Sequence, residues 1–149
     1  MRYVLDTNML LMYLRNGESR VIQSLTNDYA PLGEDSTPII CVVSIGELKS
    51  LALKNHWGQR RIGDMEAFLS LFVIADINAD DVLDMYAEID AFSQNKLKTK
   101  PLSVSARNMG KNDLWIAAVT AVTNATLITT DNDFEHLNNV YFDVLKIVF

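Results

Sequence analysis

Ile39-Ile40-Cys41-Val42-Val43 carries no polar side chain on either parity, and Ser44-Ile45-Gly46-Glu47-Leu48 follows it directly. A strand with one face in water alternates apolar and polar residues, whereas a strand covered on both faces does not. The run therefore reads as a strand of a parallel sheet with helices on both sides. Past Ser44 the apolar spacing changes to three and four, through Ile45, Leu48, Leu51 and Ala52, which is the pattern of a helix lying on that sheet. Strand followed by helix is the repeating unit of an α/β fold.

The same alternation continues in both directions. Upstream, Arg2-Tyr3-Val4-Leu5 is a short strand ending in Asp6-Thr7-Asn8, and Met9 to Leu14 is a helix that stops near Gly17. A second helix, Glu18 to Thr26, places Val21, Ile22 and Leu25 on one face. Asn27 to Pro38, with two prolines and a glycine, reads as a mobile surface loop. Downstream, Gly58 to Leu71 is a helix and Phe72 to Ala75 a third strand. Asn78 is the expected cap of a helix that opens with Asp80 and Asp81 and buries Val82, Met85, Tyr86, Ile89 and Phe92. Asp84, Glu88 and Asp90 read as its solvated face. Asn112 is the expected cap of a helix whose Ala117, Ala118 and Ala121 would let it lie close to the sheet. Ala125 to Thr129 is a fourth strand and Leu145 to Phe149 a fifth, at an edge. The expectation is a three-layer α/β/α fold with a central parallel sheet of about five strands, in a single domain over residues 1–149.

Composition narrows the classes. The 149 residues are 49% hydrophobic and 21% charged, as in a globular protein. Cys41 is the only cysteine, so no disulfide forms within the chain, which fits a reducing, cytoplasmic setting. Asp6 interrupts the apolar start, so nothing there reads as a signal peptide, and the uncharged stretch Leu114 to Thr130 falls short of a membrane span. A net charge of −6 argues against a surface that binds nucleic acid broadly. Gln94 to Asn112 is the exception, holding Lys96, Lys98, Lys100, Arg107 and Lys111 with no acid. It reads either as a solvated loop or as a segment that steers phosphates toward Asp113, which follows at once.

Four acids stand where apolar runs meet turns or helix starts: Asp6, Glu47, Asp113 and Asp131, with Asp133 just beyond. Each has a local explanation. Asp6 or Thr7 can cap a helix, Ser44-x-x-Glu47 has the form of a capping box, and Asp113 suits a helix dipole. In a parallel sheet, however, strand ends and the starts of returning helices share one rim, so all four acids are expected to meet there. Such a cluster repels itself unless a cation sits among its members, and a hard divalent ion bound through oxygen is the natural occupant. That chemistry suits phosphodiester hydrolysis by in-line attack of water. His56 and His136 lie outside the acidic motifs and read as structural or surface residues, which disfavours a histidine-based ribonuclease.

Asp6-Thr7-Asn8, Ser44-Ile45-Gly46-Glu47-Leu48, Gly110 to Ala118, and Thr129-Thr130-Asp131-Asn132-Asp133-Phe134 together resemble, in order, the motifs of PIN-domain proteins, specifically VapC-type toxins of bacterial toxin–antitoxin pairs. The resemblance implies Mg²⁺- or Mn²⁺-dependent endonuclease action on RNA. It implies metal ligation by Asp6, Glu47, Asp113 and Asp131, with Asp133 a further candidate and Asn8 and Thr130 as supporting groups. It also implies a small antitoxin as partner, and a homodimer. Two other readings remain. An aspartyl phosphotransferase would use Asp6 as nucleophile, but position 8 is Asn and no lysine stands near a late strand. A non-catalytic PIN-like module would bind RNA or a partner without cutting.

Overall fold

The structure, a computed structural model, describes residues 1–148; Phe149, the last residue of the expected edge strand, lies outside the described residues. Its strands are β1 (Arg2–Leu5), β2 (Thr37–Cys41), β3 (Val73–Ala75), β4 (Thr126–Thr129) and β5 (Asp143–Lys146). Its α-helices are α1 (Thr7–Asn16), α2 (Arg20–Tyr29), α3 (Val42–Lys54), α4 (Gln59–Leu69), α5 (Asp80–Ser93) and α6 (Lys111–Val122). A short 3₁₀ helix covers Asn132–Leu137. The five strands form one sheet in the order β3-β2-β1-β4-β5, every neighbouring pair parallel.

Strand parity sorts the core into two layers. Tyr3, Leu5, Ile40 and Ile128 face Met9, Leu10, Leu25, Leu48 and Met65 of α1 to α4. Val4, Ile39, Cys41 and Leu127 face Val82, Ile89, Phe92, Leu114 and Ile116 of α5 and α6. Successive side chains of a strand point to opposite faces, so a strand buried on both faces is apolar on both parities; edge strand β3 is the exception, apolar throughout yet with Val73 and Ile74 exposed. Val4 stands in register with Ile39 on one side and Leu127 on the other, and all three are buried. Burying each such side chain contributes roughly 1.5–3 kcal/mol. Ala117 and Ala118 are fully buried in α6, and their small size lets that helix approach the sheet closely.

Several element boundaries differ from the expectation. The second strand ends at Cys41 and α3 begins at Val42, so Ser44 is already inside the helix and the capping box does not form. Cys41 is the N-cap and offers no side-chain hydrogen bond. Ala79, not Asn78, caps α5, and Gly110, not Asn112, caps α6. The expected loop 27–38 is shorter, because α2 runs to Tyr29 and β2 starts at Thr37. What remains is a tied turn, with Gly33 N donating to Ala30 O at 2.8 Å and Thr37 N to Met1 O at 2.8 Å. The fifth strand lies two residues earlier than expected. Among the described residues no helix is long and apolar enough to cross a membrane.

Candidate active site

The chain leaves β1 and turns back on both sides of it, toward β2 and β3 on one side and toward β4 and β5 on the other. The switch point is therefore the gap between β1 and β4, at whose carboxyl ends a crevice opens. Asp6 follows β1 at this gap. Its side chain is only 4% exposed, and both carboxylate oxygens are held. Oδ1 accepts from Thr7 N at 2.7 Å as the N-cap of α1, and Oδ2 accepts from Thr129 Oγ1 at 2.8 Å. The capping and site readings of Asp6 thus coexist in one carboxylate. Register explains the second bond: Leu5 pairs with Ile128, which puts the next residues, Asp6 and Thr129, side by side.

Thr129 passes the connection on, since its Oγ1 also accepts from Asp131 N at 3.0 Å. Asp131 in turn caps the 3₁₀ helix, its Oδ1 accepting from Asp133 N at 3.0 Å. On the other flank of Asp6, Thr7 Oγ1 is 2.9 Å from both Glu47 Oε1 and Ser44 Oγ, the latter fully buried. A hydroxyl has one proton and an ionised carboxylate only accepts, so Thr7 donates to Glu47 and Ser44 donates to Thr7. Glu47, one turn and a half into α3, is thereby fastened to the start of α1.

Asp113 sits in the first turn of α6 and makes no side-chain hydrogen bond among the described residues. Carboxylate oxygens of Asp113, Asp131 and Asp133 lie within 4.8 Å of one another. Asp6 and Glu47 stand outside that tight set but close enough to act on it. Burial pushes the Asp113 carboxyl up to about 7, reinforced by the negative charges of Asp6, Asp131, Asp133 and Glu47. Burial also raises Asp6, against the lowering effect of its bonds to Thr129 and Thr7; the charges of Asp131 and Glu47 raise it further. Among the described residues no lysine or arginine pairs with any of these five acids; the ion pairs present are Lys100–Glu88 and Lys146–Glu135.

An all-oxygen set of three carboxylates at this separation, none of them ion-paired among the described residues, fits a hard divalent cation, which would remove the cost of holding like charges together.

The structure brings Asp6, Glu47, Asp113, Asp131 and Asp133 to one rim. The supporting groups differ from those expected. Thr130 is half-buried and Asn8 exposed, and neither side chain is hydrogen-bonded among the described residues. The hydroxyls that hold the acids belong to Thr7, itself bonded to Ser44, and to Thr129; sequence reasoning took Thr7 and Ser44 only as cap candidates and passed over Thr129. The basic segment is also divided. Lys100 turns to Glu88 and the face of Tyr141, Lys96 and Lys98 are exposed, and Lys111 opens the helix that carries Asp113. Of the histidines, His56 is exposed, whereas His136 is half-buried with Nε2 2.7 Å from Ser93 Oγ. Burial and the nearby Arg107 charge push His136 down to about 4, so it is neutral at pH 7.

A model of the PIN domain matches residues 3–140, nearly the whole chain. The chain belongs to the PIN-domain family. Solved structures with the same fold include VapBC2 from Rickettsia felis bound to a DNA fragment from its promoter, which is 22% identical at a TM-score of 0.75 and covers 99% of this chain and 100% of its own. DNA-bound VapBC from Salmonella typhimurium is 20% identical at a TM-score of 0.73, covering 98% of each chain. VapBC-5 from Mycobacterium tuberculosis is 22% identical at a TM-score of 0.63, again covering 98% of each. No match was found among curated protein sequences. The three-layer arrangement of this PIN domain, with its all-parallel sheet, is the one shared with these structures.

Proposed function

We propose that this PIN domain is a divalent-cation-dependent endoribonuclease, a single nuclease domain over residues 1–149, acting as the toxin of a toxin–antitoxin pair. The observation that carries the reading is the convergence of Asp113, Asp131 and Asp133, with Asp6 and Glu47 beside them, at the switch point of the sheet. The relatives with the same fold are toxin–antitoxin complexes, which supports a small antitoxin as partner. The proposal includes a homodimer and a cytoplasmic setting.

Asp113, Asp131 and Asp133 would hold Mg²⁺ or Mn²⁺, with Asp6 and Glu47 as further ligands or as acceptors for water. When bound, the cation polarises a phosphate oxygen and favours ionisation of water. The protein's own part is positional. Thr129 and the Thr7 amide fix Asp6 so that each of its oxygens keeps a lone pair for a water molecule, and Thr7 fixes Glu47 in the same way. A water held by these carboxylates gives up a proton to one of them as it attacks phosphorus in line, and the 3′-oxygen leaves and takes up a proton from solvent. The products carry 5′-phosphate and 3′-hydroxyl ends.

The test is cleavage of single-stranded and structured RNA in Mg²⁺, in Mn²⁺ and in EDTA, with wild type and Asp6→Asn. Metal-dependent cutting that the variant loses while keeping its fold is the expected result. Equal activity in EDTA, or a fully active variant, would overturn the reading; RNA binding without any cutting would point to a non-catalytic module.

A further inference from the structure

Five basic residues precede Asp113, and the structure separates one of them from the rest. Lys100 is engaged with Glu88 at 3.8 Å and with the Tyr141 ring at 4.2 Å. Lys96 and Lys98 are exposed, and neither side chain is hydrogen-bonded among the described residues. Arg107 instead lines a cleft of about 400 Å³ together with Ser105, Asn108, Asn132 and Asp133, and is its only cationic side chain. Asp133 is also one of the three clustered carboxylates, so the cleft borders the candidate cation site directly.

Arg107 is anchored and yet unsatisfied. Its backbone N donates to Ser93 O at 2.8 Å, and its Nη1 donates to Asn132 O at 3.3 Å. Ser93 is itself held, with Oγ 2.7 Å from His136 Nε2 and 3.4 Å from Met109 Sδ. The Arg107 Nε is buried and has no hydrogen-bond partner among the described residues. Asp133 lines the same cleft, yet the two side chains form no ion pair. A guanidinium does not lose its proton, and Nη2, which is neither hydrogen-bonded nor buried among the described residues, remains a donor for an anionic acceptor. A planar fork with its position fixed in advance suits a phosphodiester better than it suits a rounder anion. The neutral donors Ser105, Asn108 and Asn132 complete a lining that can bond phosphate oxygens.

We propose that this cleft is a backbone-phosphate subsite in which Arg107 binds the RNA phosphate next to the scissile one. The proposal rests on the nuclease reading above, because it is that reading which assigns the scissile phosphate to the carboxylates. The basic segment then acts through one fixed arginine, and the lysines around it contribute only a diffuse attraction.

The experiment measures binding of a fluorescein-labelled single-stranded RNA to full-length Asp6→Asn protein in Mn²⁺ across a KCl series, with and without Arg107→Gln or Arg107→Lys. Mn²⁺ binding is followed separately by calorimetry. Arg107→Gln is expected to weaken RNA binding about tenfold, the loss of one charge-assisted contact. It should reduce the slope of log K against log salt by about 0.7, one phosphate on a single strand, with Mn²⁺ binding unchanged. Arg107→Lys should restore the slope but not the full affinity. In the active protein, Arg107→Gln should raise KM and leave kcat nearly unchanged. Unchanged affinity and slope in Arg107→Gln would overturn the subsite, as would an equal loss of Mn²⁺ binding, which would mark the arginine as structural. Protein that binds no RNA overturns both readings. A wild type that binds RNA with the Arg107 signature but never cuts it supports the subsite and defeats only the nuclease assignment.

Discussion

Replacing Asp113 by Asn should make the metal-free protein more stable at alkaline pH. The Asp113 carboxyl has no hydrogen bond among the described residues to lose, and its surroundings oppose its charge through burial and four nearby acids. Its pKa moves from 3.8 to about 7, so between those values the folded protein holds a proton that the unfolded chain has released. Stability therefore falls as pH rises through that window, and the whole penalty is present above pH 7. About three pKa units correspond to roughly 4 kcal/mol. Asp113 keeps part of its surface in water, which screens the interaction, so about half of that, ~2 kcal/mol, is the expected gain from the neutral amide. For a chain of this length that is a rise in Tm of about 6 °C. Thermal melts of wild type and variant in EDTA, from pH 4 to pH 9, provide the measurement. The gap should be full at pH 8, narrow as pH falls below 7 and close near pH 4. Saturating Mn²⁺ should stabilise the wild type and erase or reverse the gap. A variant that is less stable at pH 8 without metal, or a gap that does not change with pH, would refute the reasoning.

Other outcomes follow from the same geometry. Apparent Mn²⁺ affinity, measured by calorimetry from pH 5.5 to 8.5, should rise with pH and level off above about 7, because the Asp113 proton must leave before the carboxylate can bind. Thr129→Val removes the donor to Asp6 Oδ2 and the acceptor of Asp131 N, and should cost about 1–3 kcal/mol at pH 8 by denaturant melts. The loss should be smaller at pH 5, where Asp6, already raised, is more readily protonated. Thr7→Val frees Glu47 and leaves Ser44 Oγ without its partner; it should lower kcat, whereas Thr7→Ser should keep most of it. Leu127→Ala empties a fully buried position in the central layer and should cost about 2–5 kcal/mol without touching the acids.

The layers were legible because strand parity is a strong signal. Ile39-Ile40-Cys41 is apolar throughout, as a strand covered on both faces is, and Ile40 does face one helix layer while Ile39 and Cys41 face the other. Helix starts were legible only to within a few residues. Ser44, Asn78 and Asn112 all look like caps, yet Cys41, Ala79 and Gly110 occupy those positions without a side-chain bond. Ser44 shows why: its hydroxyl is used by Thr7, so a residue that looked like a helix signal serves the site instead. The supporting hydroxyls were hidden for a different reason. Thr129 and Thr130 are adjacent, and choosing between them needs the register of β1 on β4, which is a fact about pairing and not about either segment.

That register also explains why acids distant in sequence act on one another. β1 is the middle strand, so its end is flanked by two different neighbours. On the β4 side, Thr129 bonds Asp6 and also receives the Asp131 amide, which holds the turn carrying Asp131 and Asp133. On the β2 side, Thr7 bonds Glu47 at the start of α3. Asp6 is therefore the hinge between two arms, and the charges it feels, Asp131 and Glu47, come one from each. Asp113 arrives from α6, in the opposite layer, and adds its charge to the same point without a bond of its own. Asp6, Glu47 and Asp131 are fastened through hydrogen bonds and Asp113 stands at a helix start, so the fold limits how far they spread to relieve their repulsion. The rigidity that makes their repulsion costly is the same rigidity that would hold a cation in fixed geometry, and loosening either threonine arm should weaken metal binding.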